Sequence, residues 1–145
     1  MIVAPRPVGI YVRSHRHLAT VYMNSVQSKP VVLWVDDYPS NNRAERAALA
    51  EHGYLVTTVK RTDQALAQLK TRDFVAIISD MGRWEGLDEG YVLLDTIRRQ
   101  GLKTPYFIYA GSDEKRHVEE AYARGANGCT NKLEVLVMLV RATPK

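Results

Sequence analysis

Two kinds of block alternate along this chain. Short apolar runs rich in β-branched residues continue without a polar interruption up to an acid: residues 31–35 lead into Asp36 and Asp37, and residues 74–79 lead into Asp80. Strands buried on both faces of a parallel sheet read this way. Residues 55–60 and 105–110 read as two more strands, and residues 128–130 as a short fifth. Between them, apolar residues fall at helical spacing. Ala44, Ala47, Ala48 and Glu51 stop at Gly53; Ala65, Leu66 and Leu69 follow; Leu93, Leu94 and Ile97 end at Gly101; Val118, Ala121 and Tyr122 close at Gly125; residues 133–140 form a last apolar helix. Ser40, Thr62 and Ser112 stand where helix N-caps are expected. Five strand–helix units in about 115 residues predict an α/β fold, a doubly wound parallel sheet with helices on both faces.

Composition narrows the class. The 145 residues are 46% hydrophobic, enough for a single core, and contain no run long enough to span a membrane. Cys129 is the only cysteine, which excludes an internal disulfide framework and fits a reducing, cytoplasmic compartment. There is no P-loop, no GxGxxG, and no metal-ligand spacing among the four histidines. The net charge of +4 resides in residues 1–30, where Arg6, Arg13, Arg16 and Lys29 occur without an acid; residues 31–145 balance 16 bases against 16 acids. A neutral domain is a poor match for a phosphate backbone, so no nucleic-acid partner is expected. Residues 1–28 read as a basic N-terminal extension and residues 29–145 as one domain.

The acids carry the chemistry. Ligands of open α/β sheets bind beyond the carboxyl ends of the strands. Asp36, Asp37 and Asp80 are delivered to that edge by two strands. Like charges held close need a cation, and an all-oxygen donor set suits Mg²⁺. The blander alternative is that Asp36 and Asp37 organise the strand-to-helix turn, that Asp80 merely starts a loop, and that Lys132 is an exposed first-turn lysine. Glu85, Asp88 and Glu89 read as a solvated acidic surface, Trp34 as core, and Tyr106 and Tyr109 as packing residues.

With the acidic pair after the first strand, the lone Asp80 after the third, and Gly125-Ala126 followed by Lys132 around the fifth, residues 29–142 resemble a receiver domain of two-component response regulators. The resemblance implies a flavodoxin-like, five-stranded fold. It also implies that Asp80 is the phosphoacceptor, with Mg²⁺ held by Asp36, Asp37, Asp80 and the backbone carbonyl of Gly82. Lys132 would pair with the acyl phosphate or with Asp80. The implied partners are a histidine kinase or phosphotransfer protein and a downstream protein that reads the state. Only 13 residues follow Lys132, so no effector domain is expected there. The last helix carries more apolar residues than one buried face needs, so packing on the sheet is expected to absorb much of the surplus and a homodimer face is the candidate for the rest.

Departures from the family pattern lie in the output machinery. The hydroxyl residue usual at the end of the fourth strand falls on Ala110, the usual aromatic switch residue on Cys129, and the proline after the acceptor on Trp84. Lys132 is followed by Leu133 rather than by proline, so no cis proline is expected. Two other classes compete. One is a phosphorylation-independent pseudo-receiver acting as an interaction module. The other is an Asp-nucleophile phosphatase, disfavoured because Gly82 stands where a second Asp is needed. The domain is therefore expected to catalyse only its own phosphoryl transfer and dephosphorylation.

Overall fold

The computed structural model describes residues 29–112 and 114–145. The basic extension at residues 1–28 lies outside the described residues. Five strands, β1 (Val31–Val35), β2 (Leu55–Val59), β3 (Ala76–Ser79), β4 (Tyr106–Tyr109) and β5 (Gly128–Thr130), form one parallel sheet in the order β2-β1-β3-β4-β5. Helices α1 (Arg43–Glu51), α2 (Thr62–Thr71), α3 (Glu89–Arg99), α4 (Lys115–Ala123) and α5 (Leu133–Arg141) connect or follow them. The expected α/β class, strand count and element order are all present.

Side chains alternate across the sheet, and both sets are buried. Val32 and Trp34 of β1, Ala76 and Ile78 of β3, and Phe107 of β4 pack with Leu49 of α1 and Leu136, Val137 and Val140 of α5. Leu33, Val35, Ile77, Tyr106 and Ile108 face the other way, against Ala65 of α2, Leu93, Leu94 and Ile97 of α3, and Ala121 of α4. Period-two alternation with both faces covered explains why the strands read as unbroken apolar runs. Trp34 is core, as expected, its ring edge-on to Tyr109 at 5.8 Å. Of the apolar residues in α5, only Met138 is exposed. The sheet absorbs most of that helix's apolar surplus.

Three capping expectations are corrected. Ser40 lies inside a 3-10 turn (Pro39–Asn42), and α1 begins only at Arg43, after Asn42. Thr62 is already the first residue of α2, and its hydroxyl bonds away from the helix, to Glu89 and Arg83. Ser112 precedes the N-cap Glu114; its hydroxyl accepts from the Glu114 N–H at 3.3 Å and pairs with His117 Nδ1 at 2.6 Å. Hydroxyls near helix starts serve whichever partner reaches them first, and only coordinates decide which. The glycine stops hold: Gly53, Gly101 and Gly125 have φ of 89°, 84° and 105°. No cis peptide bond occurs among the described residues. No helix among them is long and apolar enough to cross a membrane.

Candidate functional site at the switch of the sheet

From β1 the chain moves outward to β2, then crosses back to β3 on the other side of β1. The carboxyl ends of β1 and β3 therefore flank the point where the winding reverses, which is where open α/β sheets hold ligands. The parallel register pairs Val35 with Ser79, so Asp36 and Asp80 each stand one residue past the last pair. The Asp80 N–H donates to the Val35 carbonyl at 3.2 Å, and the Asp36 N–H to the Val59 carbonyl at 3.0 Å. Sheet geometry alone thus brings the acids together. Asp36, Asp37 and Asp80 each offer a carboxylate oxygen within 4.8 Å of the others, and all three are half-buried.

Each acid is held by a donor of the chain. Asp36 accepts from the Tyr38 N–H at 2.7 Å and from Asn42 Nδ2 at 2.8 Å, so it organises the strand-to-helix turn as well as joining the cluster. Asp37 accepts from the Trp84 N–H at 2.9 Å. Asp80 Oδ1 accepts from an Arg83 Nη at 2.7 Å. Burial pushes the Asp80 carboxyl up to about 7; the bond and charge of Arg83 oppose this, and the charges of Asp36 and Asp37 add to it. Three hard oxygen donors at this spacing fit the coordination preference of Mg²⁺.

The loop between β3 and α3 closes the site from one side. Arg83 and Gly86 exchange backbone hydrogen bonds at 2.9 Å, which folds the loop back on itself. A side chain at Gly82 would meet the Leu87 carbonyl oxygen at 3.3 Å, so glycine lets the loop pack this tightly beside the acids. Trp84 and Leu87 project outward, 82% and 86% exposed, and the Trp84 ring stands edge-on to Tyr38 at 6.0 Å. A cavity of about 710 Å³ opens next to the cluster, lined among others by Asp37, Tyr38, Pro39, Lys60, Trp84 and Glu85.

Lys132 precedes α5 at the carboxyl end of β5, on the same sheet edge, and its N–H donates to Thr130 Oγ1 at 3.1 Å. Ala110 follows β4 and bonds through its N–H to the Thr130 carbonyl; no hydroxyl stands at that position. Of the three acids expected on a solvated surface, Asp88 and Glu85 are exposed and Glu89 is half-buried, and Glu85 and Glu89 also serve as acceptors inside the fold. Glu85 accepts from the Thr62 N–H at 3.1 Å and Glu89 from the Thr62 hydroxyl at 2.8 Å, tying the loop and the start of α3 to the start of α2.

Arg83 was not singled out from the sequence. The signal available was a lone base among Asp80, Glu85, Asp88 and Glu89, where a cation has several partners within reach. The direction its side chain takes was not legible.

The family description of the response regulator receiver domain matches residues 32–142. The receiver domain of Francisella response regulator 1452 is 24% identical, with a TM-score of 0.69 over 77% of this chain and 93% of its own. Chemotaxis response regulator CheY4 of Vibrio cholerae is 26% identical, with a TM-score of 0.67 over 79% of this chain and 98% of its own. A two-component response regulator from Clostridium difficile, 19% identical at a TM-score of 0.68, covers 79% of this chain and 94% of its own. The first and third of these speak to the fold alone. No curated protein sequence matches the chain.

Proposed function

Since this chain belongs to the response regulator receiver domain family, we propose that Asp80 accepts a phosphoryl group from a histidine kinase or phosphotransfer protein and that a downstream protein reads the result. The observation that carries the reading is the cluster of Asp36, Asp37 and Asp80 at the switch of the sheet. A carboxylate oxygen of Asp80 attacks phosphorus, and the bond from phosphorus to the donor's imidazole nitrogen breaks with its electron pair returning to that nitrogen. Water later attacks the same phosphorus and restores the carboxylate. Such transfer asks a protein mainly for positioning and for positive charge near the phosphoryl oxygens.

Asp36, Asp37, Asp80 and the Gly82 carbonyl would hold Mg²⁺, which when bound supplies part of that charge. Lys132, at the same edge, would supply the rest by pairing with the phosphoryl group. Transfer from a cytoplasmic kinase domain would place the protein in the cytoplasm. Its chemistry would be confined to its own phosphorylation and dephosphorylation. A homodimer built on α5 would have only Met138 as an exposed apolar contact on that helix.

Beryllofluoride with millimolar Mg²⁺, followed by NMR, tests the reading. Saturable shifts around Asp80 and Lys132 that vanish in Asp80→Asn are expected. Mg²⁺ binding with no beryllofluoride response would instead leave an interaction module that does not use phosphorylation.

A further inference from the structure

Arg83 is the one charged residue among the described residues that is buried, and its side chain is wholly so. A guanidinium has five N–H donors in a fixed fork, and here five acceptors meet them. Nε donates to Glu85 Oε1 at 3.3 Å. One Nη donates to Asp80 Oδ1 at 2.7 Å and to Ser79 Oγ at 2.9 Å. The other donates to Thr62 Oγ1 at 2.6 Å and to the Glu89 carbonyl at 3.3 Å. Neighbours from β3, α2, the loop and α3 thus fix the orientation of this cation, and its place is directly against one oxygen of Asp80.

We propose that Arg83 is a positioning residue for Asp80: it pins Oδ1, leaves Oδ2 as the oxygen that takes the phosphoryl group, and serves as a built-in counter-ion of the acidic cluster. The proposal rests on Asp80 being the phosphoacceptor. When the Oδ2–phosphorus bond forms and the donor's phosphorus–nitrogen bond breaks, Oδ1 becomes the acyl carbonyl oxygen and still accepts from Arg83. When water cleaves the Oδ2–phosphorus bond, the electron pair returns to the carboxylate and spreads onto Oδ1. Arg83 is already aimed there, so it stabilises the departing carboxylate and shortens the life of the acyl phosphate. Counting only Asp36, Asp37, Asp80 and Arg83, the fully ionised cluster carries a net of two negative charges; without Arg83 it carries three.

The test compares wild type, Arg83→Met and Arg83→Lys. Arg83→Met is expected to bind Mg²⁺, titrated alone by calorimetry, roughly tenfold more tightly, the direction that loss of a nearby positive charge dictates. Its Asp80 phosphate is expected to hydrolyse roughly tenfold more slowly, as on removal of an aimed hydrogen-bond donor. Arg83→Lys keeps the charge but offers only three donors, so its Mg²⁺ affinity should stay near wild type while hydrolysis remains slowed. Wild-type values for both quantities in a folded Arg83→Met would overturn the proposal.

A measurement on the unaltered protein covers the case in which Arg83→Met does not fold. The Arg83 guanidinium protons should exchange slowly with solvent and shift on beryllofluoride addition. Fast exchange, or no shift while Asp80 responds, would overturn the proposal equally. If wild type binds Mg²⁺ but not beryllofluoride, the phosphoacceptor reading falls, and the Mg²⁺ comparison still decides whether Arg83 is the counter-ion.

Discussion

Burial holds a proton on Asp80 up to about pH 7, against an ordinary aspartate value of 3.8. An acid whose folded value lies above its unfolded one contributes stability that is complete below the unfolded value and is lost as pH rises through the folded one. In EDTA, wild type should therefore lose stability between pH 5 and 8 relative to Asp80→Asn. Over that range the difference is bounded at about 3 kcal/mol, the two units that separate pH 5 from a folded value of about 7. Urea denaturation at both pH values measures it, and a constant gap would mean that Arg83 holds the carboxylate ionised throughout. Gly90 poses a purely steric demand. A Cβ there would lie 2.4 Å from the Asp80 carbonyl oxygen and 3.0 Å from the Met81 Cα. Gly90→Ala should cost about 1–3 kcal/mol and displace Asp80, lowering beryllofluoride affinity as well as the melting temperature. The acids themselves were legible in the sequence, because strand ends are marked by the change from apolar to charged. Arg83 was not, since a long side chain can turn inward or outward and only the folded loop selects.

At the scale of elements, strands and glycine-stopped helices were readable to within a residue or two, while helix starts were not. Ser40, Thr62 and Ser112 all have the right chemistry for caps, yet each hydroxyl or its backbone is committed elsewhere. Thr62 shows why. Its hydroxyl accepts from Arg83 and donates to Glu89, joining α2, the loop and α3 in one polar network. Thr62→Val keeps the shape but strands both partners, and should cost about 1–3 kcal/mol in chemical denaturation. A loss below about 0.5 kcal/mol would mean that water replaces the hydroxyl without penalty. Glu85 and Glu89 belong to the same network, and a string of acids after a strand gave no hint that the Glu85 carboxylate meets a buried base while that of Glu89 takes the Thr62 hydroxyl.

Across the whole molecule, one consistent pattern decided the fold: five apolar runs, each followed by a helix, with both sheet faces covered. That consistency across levels is what makes a topology legible. Strand order was legible only through family resemblance, because periodicity does not say which strand neighbours which. The order matters for function, since it places β1 beside β3 and so brings together acids more than forty residues apart in sequence. The positions Ala110 and Cys129, atypical in the sequence, remain without a hydroxyl or an aromatic ring in the folded protein.

Arg83 and Trp84 are consecutive, yet one is buried against Asp80 and the other is 82% exposed. Neighbouring Cα atoms are about 3.8 Å apart, so the distance from reacting carboxylate to solvent-facing indole is a single peptide link beyond one side chain. News of a change at Asp80 need not cross the sheet to reach the outside of this molecule. The indole emission of Trp84, with Trp34→Phe removing the buried ring's background, should register beryllofluoride directly, and a silent Trp84 would mean that the message leaves by another door.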